Sequence, residues 1–155
     1  MTTIRTATPD DAALLARLND LVHGLHVEHR PDLFVWSPNQ DSHFRERIGD
    51  PAVTVFIAEG PDGTPVGYAI ARIVHWPGNT FTTPDVVVSL DQLAVSPEAA
   101  RTGVGSALLD AVREAGRTAG CRRLVTTVWD FNEPARALYQ ATGFRPMNHQ
   151  LDQLL

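Results

Sequence analysis

PEAARTGVGSALLDAV, Pro97 to Val112, passes from a proline through two alanines into Gly103-x-Gly105 and then into apolar residues at helical spacing. Either the glycine pair cradles an anion or it only eases a tight strand-to-helix turn. Three anion-binding readings compete. A P-loop needs a lysine after its last glycine to reach the phosphates, and the chain has none, since all 13 basic residues are arginine. A dinucleotide fingerprint needs a third glycine three residues on, where Leu108 stands. It also belongs to the first βα unit of a domain, whereas this stretch follows several expected strands. The third reading needs only backbone. The first N–H groups of a helix lack intrahelical partners, the aligned peptide dipoles favour an anion there, and glycine lets the chain approach it with no Cβ in the way. From this stretch alone, cradle and plain turn stand level.

Around it, 155 residues of ordinary globular composition, 43% hydrophobic and 20% charged, read as one domain spanning 1–155 with a single sizeable core. No apolar run approaches the ~20 residues of a membrane span. The N-terminus, MTTIRTATPDD, has no basic flank leading into an apolar stretch, so a cytoplasmic protein is expected. Cys121 is the only cysteine, which excludes an internal disulfide and a cysteine metal cluster. Following Gly120 at a strand start, it reads as a small packed residue. The net charge is −5 and the longest basic run is Arg122-Arg123, so neither nucleic acid nor an anionic membrane is an expected partner. The missing lysines read as codon bias, and they remove every lysine-dependent mechanism.

The elements follow from periodicity and breakers. TIRTAT reads as a short strand, and Pro9-Asp10-Asp11 opens a helix carried by Leu14, Leu15, Leu18, Leu21, Val22 and Leu25. Pro31 and Pro38 break the chain before a shorter helix, DSHFRERI. VTVFIAE and PVGYAIARIV form a hairpin across Pro61-Asp62-Gly63, and VVVSLDQLAV is another strand. In that strand Val86, Val88 and Leu90 keep one parity while Leu93 and Val95 keep the other, the one-residue shift that a β-bulge makes. The glycine stretch and its helix come next, then the strand RRLVTTVW, the helix NEPARALYQATG and a last strand in the tail. The order β-α-α-β-β-β-α-β-α-β predicts a mixed α/β (α+β) sheet rather than a regular βαβ alternation.

The second half of the chain breaks the tie over the glycines. Asn132-Glu133-Pro134 starts a helix with a cap and an early proline, and Gly143 stops it. Ala135, Leu138, Tyr139 and Thr142 share its sheet-facing side, where Tyr139 is either a core tyrosine with a satisfied hydroxyl or a working group. The two segments LDQLAVSPEAARTGVGSALLDAV and WDFNEPARALYQATGF, about residues 90–144, together resemble the GNAT superfamily of acetyl-CoA-dependent N-acetyltransferases. The resemblance implies the GNAT fold, a central, mostly antiparallel mixed sheet flanked by about four helices. It implies a loop, Ala100, Arg101, Thr102, Gly103, Val104 and Gly105 with Ser106 just inside the helix, whose backbone amides hold the coenzyme pyrophosphate. Leu93, Ala94 and Val95 would run beside the acetyl and pantetheine arms like an added strand. Asn132, Ala135 and Tyr139 would complete the acetyl-CoA site, placed mainly in residues 91–144. One position departs from the family pattern: Ala100 stands where Arg or Gln is usual, with Arg101 beside it.

Acetyl transfer needs a neutral amine, a polarised thioester carbonyl and a proton for the leaving thiolate. An alkyl ammonium of pKa about 10.4 must lose a proton first. A strand N–H near Leu93 would polarise the carbonyl. Tyr139 matches the family position of the acid that protonates the thiolate. Asp91, on the central strand, is the candidate base, against a solvated carboxylate or a water relay that needs no dedicated residue. The acceptor site is expected mainly in residues 20–50 and 75–85, with His26, Glu28, Trp36 and Trp76 as candidate substrate contacts. Aromatic loop residues there, Phe34 and Phe81 included, suit a cationic amine but would equally cover the core edge or a dimer contact. His23, His26 and His29 recur every three residues, yet they drift around the helix with no companion ligand, so no metal is expected.

The expected activity is therefore direct acetyl transfer from acetyl-CoA to the primary amine of a small molecule or peptide, in a ternary complex. A rival from another class is an acyl-CoA-binding sensor that kept the cradle and lost turnover. A third is a fold used as a dimerising scaffold, which Asn132 and Tyr139 disfavour. Homodimers are common in the family. The acceptor stays open among small amines, amino acids, antibiotics and protein termini.

Overall fold

The computed structural model describes residues 1–155. Five strands, β1 (Thr3–Thr6), β2 (Val53–Glu59), β3 (Pro65–Trp76), β4 (Asp85–Val95) and β5 (Arg123–Thr126), form one sheet in chain order. Neighbours from β1 to β4 are antiparallel, and β5 lies parallel to β4. The helices are α1 (Ala12–His29), α2 (Gln40–Gly49), α3 (Val104–Thr118) and α4 (Glu133–Ala141). A parallel neighbour requires a crossover, and α3 supplies it between β4 and β5.

The pleat sorts side chains into two cores. Leu15, Phe44, Ile57, Tyr68 and Ile70 pack on the α1/α2 face, and Val88, Leu90, Leu108, Leu109 and Val112 on the α3 face. Tyr68, Ala69, Ile70 and Ala71 of β3 are all buried, because this central strand is covered on both faces. Each fully buried large side chain is worth about 1.5–3 kcal/mol of apolar burial. The β1–α1 junction is tied by Asp11, which accepts the Thr8 N–H at 2.8 Å and hydrogen bonds from Nη1 and Nη2 of Arg5, each at 2.9 Å.

The expected bulge is present. Ile70 pairs with Gln92 and Ala71 with Leu90, so Asp91 is the extra residue of β4. Two expectations need correction. The strand read through Trp129 stops at Thr126, since Thr127–Trp129 leave β4. The tail forms no strand: residues 145–155 make no backbone hydrogen bond and are exposed throughout. No helix is long and apolar enough to cross a membrane.

Candidate active site

β4 and β5 lie side by side only from Val87 and Arg123 to Leu90 and Thr126. The last tie is the Thr126 hydroxyl, donating to the Leu90 carbonyl at 2.9 Å. Beyond it the bulge bends β4 away, and a cavity of about 470 Å³ opens between the diverging chains. The free edge of β4 has a defined polarity. Ser96 N–H donates to Val66 of β3 at 2.8 Å, and antiparallel alternation turns Ala94 and Gln92 the same way. Leu93 and Val95 consequently aim their N–H and C=O groups at the open side.

The bulge also sets two consecutive side chains on one face. Leu90 belongs to the α3-side core, whereas Asp91 contacts Arg47 of α2 and Gln92 contacts Tyr68 in the α1/α2 core. Both line the cavity. Asp91 is fully engaged there. It accepts from Arg72 at 2.8 and 3.3 Å, from Ser89 at 2.7 Å and from Arg47. Burial pushes its carboxyl upward, but the hydrogen bonds from Arg72, Ser89 and Arg47 outweigh it, and the net pKa lies below the usual value. A carboxylate held so low by two guanidinium groups is a poor acceptor for an ammonium proton. The geometry favours the other role for Asp91, that of an anion tying α2 and β3 to the bulge.

On the other side of β4, the loop before α3 carries a run of unpartnered donors. Ala100 N–H bonds to Pro97, and the next satisfied amide is Ala107, bonded to Gly103. The N–H groups of Arg101, Thr102, Gly103, Val104, Gly105 and Ser106 have no acceptor within the protein. Arg101 and Gly103 both take positive φ, 63° and 89°, which turns successive amides to one side as anion-binding nests do. Thr102 braces the turn by donating its hydroxyl to Ala99 at 2.6 Å. The two glycines do different jobs. Gly103 supplies the left-handed cap, while a Cβ on Gly105 would meet Leu138 of α4 at 3.0 Å, so its absence lets α4 close on α3. Ala100 and Arg101 are exposed, and Arg101 makes no ion pair.

Helix α4 closes the same cavity. Asn132 caps it, accepting from Ala135 N–H at 3.3 Å. Tyr139 lines the cavity wall with Asn132, Ala135 and Leu93, and its ring packs on Phe144 at 5.1 Å. Burial raises the Tyr139 pKa, with Thr126 acting the other way, so the phenol keeps its proton at neutral pH.

Of the four candidate substrate contacts only His26 lines the cavity, joined there by Phe34 of the loop aromatics. His26 sits between Phe34 at 5.0 Å and Phe131 at 5.6 Å, and burial, followed by His23, holds its pKa below the ordinary 6.5. Glu28 is exposed on α1, and Trp36 lies edge-on to His23 and against Gly24, outside the wall. Trp76 pairs with Asp85 five register steps from the bulge, roughly 17 Å at strand rise, so residues 75–85 contribute nothing to the cavity. His29 stacks on Phe131 at 4.6 Å. The wall contains residues that sequence reasoning missed, among them His43, Tyr68, Gln92 and Trp129. The parity switch after Leu90 could have exposed Gln92 along with Asp91. Tyr68 carries no such signal, because buried strand aromatics look alike.

A sheet split at a bulge with Tyr139 in the wall of the gap, and a separate turn of free amides before α3, are the features to set beside known proteins. The model of the acetyltransferase (GNAT) family matches residues 18–144. The chain is 36% identical over 146 residues to an aminoglycoside N(6')-acetyltransferase type 1 of Stenotrophomonas maltophilia, covering 92% of this chain and 85% of the relative. Its fold superimposes on a tetramutant of the BH1408 protein of Bacillus halodurans with a TM-score of 0.93 at 25% identity, over 99% of each chain. It also matches the aminoglycoside N-acetyltransferase AAC(6')-Iy in complex with CoA, with a TM-score of 0.79 at 22% identity, over 100% of this chain and 95% of that one. The protein belongs to the GNAT family and is an acetyltransferase.

Proposed function

We propose that the protein transfers the acetyl group of acetyl-CoA directly to a primary amine in a ternary complex. The observation that carries this reading is the shared cavity: the free edge of β4 at Leu93 and the Tyr139 side chain open on one space, while the strand leads on to the six free amides of the α3 turn. The donor set fits acetyl-CoA. The amides from Arg101 to Ser106 would hold its pyrophosphate, and Leu93 to Val95 would pair with its pantetheine arm. Leu93 N–H would polarise the thioester carbonyl. Tyr139, with its raised pKa, would hydrogen-bond the sulfur as charge develops and give up its proton only as the C–S bond breaks. With Asp91 engaged, water in the cavity would take the ammonium proton before attack. No metal enters this scheme.

The Stenotrophomonas relative is named for the 6'-amine of aminoglycosides, and such an amine is the first acceptor to try; the net charge of −5 favours a cation's approach. The natural acceptor is a small molecule or a peptide amine, neither nucleic acid nor membrane is a partner, and the cytoplasm, where acetyl-CoA is used, is the proposed location. A second copy of the chain is the proposed protein partner.

The test is thiol release from acetyl-CoA across an amine panel that includes an aminoglycoside. One amine class should stimulate release, and Tyr139→Phe should lower kcat by about 10²-fold, the scale of general acid catalysis, with CoA binding kept. Tight acetyl-CoA binding with no amine turned over would sink the enzymatic scheme and leave a sensor.

A further inference from the structure

One wall of the cavity is a chain of side-chain hydrogen bonds whose direction is decided at its far end. Gln40 donates its amide to the Asp20 carboxylate at 2.9 Å, and Asn19 meets the other end of the Gln40 amide at 3.0 Å. The Tyr68 hydroxyl faces two amide oxygens, Asn19 Oδ1 at 3.1 Å and Gln92 Oε1 at 2.8 Å, and has one proton for both. Asp20 only accepts, so Gln40 must donate to it with its NH2 group. Gln40 Oε1 then takes an N–H of Asn19, which turns Asn19 Oδ1 toward Tyr68. Tyr68 has one proton, and Asn19 receives it. What is left at the Tyr68 oxygen is a lone pair, which cannot stand against the Gln92 Oε1 at 2.8 Å, so the Gln92 amide must be turned over to present its donor, Nε2.

We infer that Gln92 consequently turns its Oε1 into the cavity, and that this carbonyl is the acceptor that holds the attacking amine. This inference rests on the acetyl-transfer reading above and names a positioning residue for it. The second atom of the Gln92 amide has no partner in the protein, and no buried side-chain polar atom is left unpaired. That atom is therefore accessible, and the residue lines the cavity. It adjoins Leu93, whose N–H would hold the thioester oxygen. The neighbouring carboxylate of Asp91 is consumed by Arg47 and Arg72, so Gln92 is the free acceptor that the bulge presents. A neutral carbonyl accepts an N–H from the uncharged amine without holding it in the ammonium form, as a carboxylate would, and it orients the nitrogen lone pair away from itself.

Orientation and kinetics test this separately. Side-chain amide NMR of the full chain should show the Gln92 NH2 protons in contact with the Tyr68 ring and slow to exchange, with their signals assigned by loss in Gln92→Leu and displaced in Tyr68→Phe. In Gln92→Leu the KM for the amine should rise about five- to tenfold, the loss of one hydrogen bond, with the KM for acetyl-CoA unchanged. Gln92→Glu, nearly isosteric, should retain the amine as ammonium, so that its kcat reaches half-maximum at higher pH than the parent. NH2 protons exposed to the cavity, an unchanged amine KM in Gln92→Leu, or an unshifted kcat profile in Gln92→Glu would overturn the assignment. If no amine is turned over, the functional reading fails, and the NMR contacts still decide which way Gln92 points.

Discussion

At the scale of single residues, Asp91 shows how completely neighbours decide chemistry. The carboxylate receives Arg72, 19 positions away, and Arg47, 44 positions away. Asp91→Asn leaves two guanidinium groups without their anion and should cost about 1–3 kcal/mol, the scale of hydrogen bonds to charged groups, read as a lower urea midpoint. A dedicated base would instead lose activity with stability intact, so the two readouts separate the roles. His26 gives a pH signature. Its folded pKa is lowered, so the unfolded chain binds the proton more strongly. The stability it contributes is full above 6.5 and is lost as the pH falls through its lower folded value. Denaturation midpoints between pH 7 and 5 should decline less in His26→Gln than in the parent. Tyr139 and Asn132 were legible in the sequence because their spacing on one helix is local. The arginines on Asp91 were not, since pairing across 19 and 44 residues leaves no periodic trace.

Among elements, the tightest fit is α3 on β4. A Cβ on Gly116 would lie 2.5 Å from a methyl carbon of Val88 and 3.1 Å from its Cβ. Valine is stiff at χ1 and has no alternative place to go. In Gly116→Ala, helix propensity gains about 1 kcal/mol, while overpacking costs about 1–3 kcal/mol. The strain should win, with Tm lower by about 2–8 °C and α3 displaced at its C-terminal half; an unchanged or raised Tm would mean that strand and helix separate freely. The β1–α1 corner answers to pH in the same register of packing. The hydrogen bond from Arg5 holds Asp11 at about 2, below its usual 3.8. That junction keeps its full strength above 3.8 and weakens as the pH drops toward 2. The order of elements was readable from breakers and periodicity, and so was the bulge, because a parity change is written within one strand. The ends of β5 were not readable. Thr127-Val128-Trp129 continues the β-forming composition, yet its pairing is lost because β4 turns aside at Asp91.

For the whole molecule, the question left by the sheet is what accompanies β5. Its inner edge is taken by β4, and no strand lies on its outer edge. The tail read from the sequence as a strand stands in water instead, with Leu151 88% and Leu154 89% exposed. Its side-chain tie to the body is Asp152, bonded to Arg30 at 2.8 Å, an exposed ion pair of the kind worth only about 0–1 kcal/mol. Leucines held in solvent, on a chain whose sheet ends in an unfilled strand edge, gain most if a second copy supplies the missing partner, and the exchange is reciprocal because both copies carry both parts. Apolar burial of about 25 cal/mol per Å² then adds to a row of backbone hydrogen bonds. The full chain should run as a dimer in size-exclusion chromatography with light scattering, and a chain ending at Arg145 as a monomer. The cavity of each copy would remain, since Tyr139, Leu93 and Gln92 come from one chain, so the shortened monomer should still release thiol with its amine. A monomeric full chain at micromolar concentration would refute the exchange, and a dimer that persists without the tail would move the interface to another face of the fold.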